Sequence, residues 1–216
     1  MSEQRRSVSI TGGTGYMGLS LIPRLLRRGH ELRVLVRPGS EKKLPRGCTP
    51  VVENVLDGSS YEDKISPGQV CPVGRSSHPS PAKAADFRKV DLVSGLEAVA
   101  AAKSANVRHF VYLSVAHPAP VMKAYIAVRA ECEAAIEAAG LPILRPWYVL
   151  GLGHRWPSLL LPMYKLAELL PQTRDGALRL GLVTLEQMVT ARLAAVENPA
   201  QGVKVVNVPE IRTARA

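Results

Sequence analysis

Apolar and polar positions follow two rhythms along the chain. Val8 and Ile10 alternate with polar neighbours, which predicts a short first strand. The spacing then lengthens. Met17, Leu21, Ile22, Leu25 and Leu26 fall on one face of a helix over residues 16–28, and Gly29 is placed to stop it. Pro23 lies inside that helix and removes one backbone hydrogen bond, so a local kink is expected. Leu32, Val34 and Val36 predict a second strand, and Val51 and Val52 mark a third. Further on, residues 82–104 read as a long helix, 107–115 as a strand, 122–139 as a helix and 141–144 as a short strand. Helices over 158–170 and 185–197 and a last strand over 203–208 follow. The stretch 66–81 (SPGQVCPVGRSSHPSP) is the weakest. A fourth strand is due there, only residues 69–73 can supply it, and Pro72 would interrupt its hydrogen bonding. Alternating strand and helix signals without an internal repeat predict a parallel α/β sheet.

The turn between the first strand and the first helix reads Thr11-Gly-Gly-Thr-Gly-Tyr-Met-Gly18. Gly12 and Gly13 permit a tight turn, Gly15 lets the backbone approach a pyrophosphate, and Gly18 allows the helix to pack closely on the strand. Thr14, Tyr16 and Met17 complete the loop, and the free N–H groups of the helix N-terminus face an anion. In a strand–turn–helix–strand setting this predicts dinucleotide binding in a Rossmann-type fold. The position after the second strand discriminates the cofactor. An acidic residue there would hold NAD ribose hydroxyls, but the chain has Arg37, with Lys42 and Lys43 nearby. A guanidinium suits the 2′-phosphate of NADP, so NADP(H) is preferred and NAD(H) is the second choice.

Composition narrows the picture. Of 216 residues, 46% are hydrophobic and 21% charged, as in an ordinary globular protein, and no apolar run reaches membrane-spanning length. A basic N-terminus leading into a strand is not a secretory signal, so a cytoplasmic protein without membrane insertion is expected. Cys48, Cys71 and Cys132 form no CxxC pair, and the five histidines show no metal-ligand spacing, so neither disulfide framework nor metal site is expected. The net charge of +10 is concentrated early, around the glycine loop. It fits a phosphorylated cofactor. No nucleic-acid motif accompanies it, and nucleic acid is not expected as a partner.

The order of the glycine motif, Asp57, strand-end Ser114, Tyr125 and Arg145-Pro-Trp-Tyr-Val-Leu-Gly151 resembles the short-chain dehydrogenase/reductase superfamily. The likeness is to its atypical, NmrA-like branch, related to NAD-dependent epimerases/dehydratases and to the NAD(P)-binding subunit of respiratory complex I. The resemblance implies a doubly wound α/β fold with a short C-terminal, substrate-side extension. Residues 1–150 would form the NAD(P)-binding domain, and 151–216 an extension packed on it. It implies roles as well. Ser114 would hold a substrate carbonyl, Tyr125 would be the general acid/base, and Asp57 would accept from the adenine amine. Pro146 and Trp147 would border the nicotinamide, with residues 151–157 at the pocket mouth. Asp57 reads equally as a turn residue before Gly58.

Two positions depart from the family pattern. Arg129 stands where YxxxK has lysine, four residues after Tyr125. It either tunes the tyrosine or forms a cation–π pair with it on an exposed helix face. Asp91 falls near where extended members carry asparagine. The expected function is an NADP(H)-dependent oxidoreductase or epimerase acting on a small carbonyl or hydroxyl compound. The alternative is a non-catalytic NAD(P)-binding redox sensor, assembly factor or accessory subunit. A hydrolase is set aside, because Ser114 lacks a GxSxG setting and no acid is evident to orient His117.

Overall fold

The computed structural model describes residues 5–65, 69–72, 87–119, 122–139, 143–145, 148–150 and 161–216. Strands β1 (Ser7–Thr11), β2 (Glu31–Val36), β3 (Thr49–Val52), β4 (Gln69–Pro72) and β5 (His109–Phe110) form a sheet in the order β3-β2-β1-β4-β5. Only Val111 separates β5 from β6 (Tyr112–Leu113). β6 pairs with β7 (Ile143–Arg145), and β7 pairs with β10 (Val205–Asn207). β8 (Tyr148–Leu150) pairs separately with β9 (Leu182–Thr184). All seven pairings are parallel. The order reverses between β1 and β4, the switch point of a doubly wound Rossmann-type α/β fold.

Helix α1 (Tyr16–Arg27) follows β1 and runs through Pro23. α2 (Val93–Ser104), α3 (Lys123–Glu137), α4 (Leu161–Leu169), α5 (Arg174–Arg179), α6 (Leu185–Glu197) and α7 (Val208–Thr213) complete the described helices. The sheet buries both faces. On one, Val8, Ile10, Leu32, Val34 and Val36 meet Leu21, Ile22 and Leu25 of α1 and Met188, Val189, Leu193 and Val196 of α6. On the other, Phe110 and Tyr112 meet Ala98, Ala101 and Ala102 of α2 and Val128, Cys132 and Ile136 of α3. Each fully buried Leu or Ile contributes roughly 1.5–3 kcal/mol. α6 therefore belongs to the same core as the glycine-bearing helix.

The elements differ from the sequence expectation in instructive places. The fourth strand forms over Gln69–Pro72 and takes the central position beside β1. Pro72 is its last residue, opposite Thr11, where a missing N–H interrupts little of the ladder. Residues 66–68 and 73–81 of that stretch lie outside the described residues. The helix expected over 82–104 is α2 preceded by a π-helical turn, Phe87–Leu92. The strand expected over 107–115 breaks at Val111, where the chain changes neighbours from β4 to β7. β9, α5 and α7 are additions, each too short to show a period. α6 starts directly after β9 because Thr184 and Gln187 form a reciprocal capping box. Among the described residues no helix is long and apolar enough to cross a membrane.

Candidate active site

All the β strands of the main sheet point the same way, so the segments leaving their C-terminal ends gather on one edge. The glycine turn leaves β1, Arg37 leaves β2 and Asp57 follows β3, while Ser114 leaves β6, which continues the chain from β5 of that sheet. This edge is where an open parallel α/β sheet binds ligands.

At the glycine turn the backbone decides the shape. Gly12 has φ +69°, a conformation that L side chains rarely adopt. Its carbonyl accepts from the Gly15 amide at 3.0 Å, closing the turn. A Cβ at Gly18 would lie 2.6 Å from the Gly12 and Gly13 carbonyl oxygens, so only glycine lets α1 pack this closely on the turn. A side chain at Gly13 would run into Val34 of β2. Gly15 is the N-cap of α1. It offers no side chain to the first-turn amides, and no acidic residue lies in that turn. The twelve-residue helix thus presents uncapped N–H groups and a positive dipole end, which fit a phosphate.

Arg37 opens the turn after β2. Gly39 takes φ +79° and the Ser40 amide donates to the Arg37 carbonyl at 3.0 Å, a tight turn that leaves Arg37 exposed. The Arg37 guanidinium has no hydrogen-bond or ion-pair partner among the described residues. The chain after it folds back on the glycine turn, with Leu44 in van der Waals reach of a Cβ at Gly13. Asp57 is exposed. Its Oδ1 accepts from Ser59 Oγ at 2.7 Å and its carbonyl accepts from Ser60 Oγ at 2.8 Å, the geometry of a turn residue.

Ser114 is 5% exposed, and its Oγ has no hydrogen-bond partner among the described residues. Tyr125 is half-buried in the first turn of α3, with the edge of its ring against Phe87 at 5.2 Å between centroids. Arg129 lies one turn on. Its guanidinium stands 5.0 Å from the Tyr125 ring centroid, so the stacked pair exists, but it is buried rather than on an exposed face. Arg129 Nη2 donates to Asp91 Oδ1 at 2.8 Å, and Nη1 donates to Tyr112 Oη at 2.9 Å. Burial pushes the Arg129 pKa down, but Tyr125, Tyr112 and Asp91 outweigh it and hold the guanidinium above its ordinary value.

Three partners escaped the sequence. Asp91 and Tyr112 surround Arg129, and Glu133 Oε2 lies 3.0 Å from His117 Nε2. An acid that orients His117 therefore does exist. Ser114 Oγ still has no partner among the described residues, His117 included, so no Ser–His pair forms. Tyr125, Arg129 and Glu133 recur every four residues and so share one face of α3, and that spacing was the available signal. Pro146, Trp147 and residues 151–157 lie outside the described residues. Among the described residues, no cluster of three or more His, Cys, Asp or Glu is placed to hold a metal.

The sequence profile of the NAD dependent epimerase/dehydratase family matches residues 8–135. A 4-hydroxy-2-methyl-3-oxo-4-farnesyl-3,4-dihydroquinoline-1-oxide ketoreductase of Stigmatella aurantiaca is 24% identical over 166 residues, 66% of this chain and 50% of the relative. The chloroplastic divinyl chlorophyllide a 8-vinyl-reductase of Oryza sativa subsp. indica is 29% identical over 165 residues, 68% of this chain and 40% of the relative. The chain thus spans half or less of the length of these two curated relatives. Solved structures share the fold. The Bordetella bronchiseptica enzyme WbmH in complex with NAD+ superposes with TM-score 0.69 at 20% identity, covering 96% of this chain and 79% of that one. A UDP-galactose 4-epimerase superposes with TM-score 0.71 at 18% identity, covering 94% and 76%.

Proposed function

The chain belongs to the NAD dependent epimerase/dehydratase family, and on that premise we propose that it is an NADP(H)-dependent oxidoreductase or epimerase acting on a small carbonyl or hydroxyl compound. A nicotinamide dinucleotide is the cofactor of this family, and when bound it supplies or accepts a hydride. The observation that carries the NADP(H) reading is Arg37: an exposed guanidinium without a partner among the described residues, on the β2 turn beside the glycine loop.

The chain's own groups divide the work. The uncapped first-turn amides of α1 hold the pyrophosphate, across a turn of Gly12, Gly13, Thr14 and Gly15 leading to Tyr16, Met17 and Gly18. Arg37 pairs with the 2′-phosphate, and Asp57 keeps Oδ2 for the adenine amine. Pro146 and Trp147 border the nicotinamide. Ser114 Oγ, buried and uncommitted, donates to the substrate oxygen. Tyr125 Oη would move the proton at the substrate oxygen. In this reading residues 1–150 hold the cofactor and 151–216 face the substrate.

A second reading, a non-catalytic NAD(P)-binding sensor or accessory subunit, draws on one observation. Arg129, in the position after the tyrosine where a cofactor-binding cation is expected, is buried against Asp91 and Tyr112.

Calorimetric titration of NADPH and NADH tests the cofactor. A charged hydrogen bond contributes about 1.5–3 kcal/mol, so NADPH should bind roughly ten- to a hundredfold more tightly, and Arg37→Ala should remove most of the gap. Equal affinities in the unmodified protein would overturn the NADP(H) preference.

A further inference from the structure

Asp91 and Arg129 are each 2% exposed, and their side chains meet at 2.8 Å. They come from the π-helical turn before α2 and from the second turn of α3, 38 residues apart in the chain. The two positions that depart from the family pattern are therefore each other's partners. Arg129 Nη1 also donates to Tyr112 Oη at 2.9 Å and to the Leu113 carbonyl at 3.4 Å. Both terminal nitrogens thus bond to groups in the protein interior, while the guanidinium carbon lies over the Tyr125 ring. A planar, forked cation can be fixed in this way, and a single ammonium cannot.

We propose that Asp91 is a positioning residue of the active site. Through the buried pair it locks Arg129 beneath the Tyr125 ring, and Arg129 consequently sets the ring's place without touching the cofactor. The proposal rests on the reading of Tyr125 as the proton-transfer group. A buried ion pair suits this role. Removing one partner leaves an uncompensated charge, whereas replacing both by apolar groups of similar size is close to neutral for stability. Stability and positioning can therefore be separated.

The experiment uses the whole chain with Asp91→Asn, Arg129→Met and the double variant Asp91→Leu/Arg129→Met. Each single variant should lower the thermal midpoint by about 10 °C, and the double variant should recover most of that loss. NADPH affinity in the folded variants should stay within about twofold of the unmodified protein. kcat should fall about tenfold or more with KM unchanged, in the double variant as well, because stability returns while the stacked cation does not.

A cofactor-independent readout accompanies these. In protein labelled with 3-fluorotyrosine, the fluorine resonance that Tyr125→Phe removes should shift in Asp91→Asn. An unmoved resonance would overturn the proposal. So would a double variant with full turnover, which would make the pair purely structural. A tenfold loss of NADPH affinity in Arg129→Met with an intact fold would do the same, because it would place Arg129 on the cofactor. Unmodified protein that binds no dinucleotide and turns over no carbonyl compound sinks the functional reading instead, and the fluorine spectrum still decides whether Asp91 positions the ring.

Discussion

The glycine turn and the α3 side of the site are built on opposite plans. At the turn, shape comes from side chains that are missing. Gly12 adopts φ +69°, Gly18 admits a backbone contact that a Cβ would block, and Gly15 leaves the first-turn amides uncapped. Along α3, shape comes from side chains that hold one another. Tyr125 stacks on Arg129, Arg129 bonds Asp91 and Tyr112, and Glu133 meets His117. A backbone-made site tolerates changes in its surroundings and fails when a methyl group is added. A site made of partnered side chains fails when any one partner changes. On the proposed function, the two plans also divide the labour. Holding a phosphate needs N–H groups at fixed positions, whereas moving a proton needs a hydroxyl held at one place.

The sharpest way to break this contrast is Tyr125→Phe. If the hydroxyl moves the proton, turnover should fall about 10²–10⁴-fold while NADPH affinity stays unchanged. The measurement is NADPH oxidation with a panel of aldehydes, ketones and quinones. Turnover that survives the change would remove Tyr125 from the chemistry and leave the glycine turn as the only assigned half of the site.

Next in size is Gly18→Val. The added side chain meets both the Gly12 and Gly13 carbonyls, and overpacking against backbone should cost about 3 kcal/mol, lowering the thermal midpoint by roughly 6–12 °C. Gly15→Ala should cost much less, since its Cβ meets only the Gly12 carbonyl, at 3.2 Å. Equal stability losses at the two positions would mean that the turn is not organised as described.

The smallest effect lies at the opposite edge of the sheet, in His109. Its Nε2–H donates to the Ala195 carbonyl at 2.7 Å, and its buried Nδ1 has no partner among the described residues. Burial lowers its pKa below the ordinary 6.5, with nearby Arg6 acting in the same direction. The unfolded chain therefore binds the proton more readily than the folded one. The neutral imidazole's contribution is complete above about pH 6.5 and is lost as the pH falls below it. Thermal midpoints between pH 5 and 8 should decline on the acid side less steeply in His109→Gln than in the unmodified protein. Parallel profiles would assign the acid sensitivity elsewhere.

Legibility followed the same division. The glycine turn, α1 and α6 were readable because their information is local: a missing Cβ, a 3.6-residue period, a cap. The bounds read for α6, 185–197, match the helix observed. The place of Arg37, directly after β2, was readable for the same reason, at the end of an alternating strand. That Asp91 and Arg129 pair was not, because two charges 38 residues apart meet only once α2 and α3 are packed. Nor was the π-helical turn Phe87–Leu92 that brings Asp91 inward, since its wider turn has no counterpart in an apolar repeat. Glu133 was hidden for a further reason. A buried carboxylate on a helix reads as a surface charge until its histidine is known.

The core shared by β1, α1 and α6 has a consequence for how the molecule comes into being. Arg6 donates to the Glu197 carbonyl across 191 positions, and Val8 and Ile10 are buried in the same cluster as Val189 and Val196. Contacts of such sequence separation demand that a long loop close before it is rewarded, which slows folding. On the ribosome, the glycine-bearing helix would emerge early and wait, one apolar face uncovered, until α6 was synthesised. The charges that flank the face, Arg24, Arg27 and Arg28, would keep the waiting segment soluble until two of them meet Glu186 and Glu197 in the folded protein.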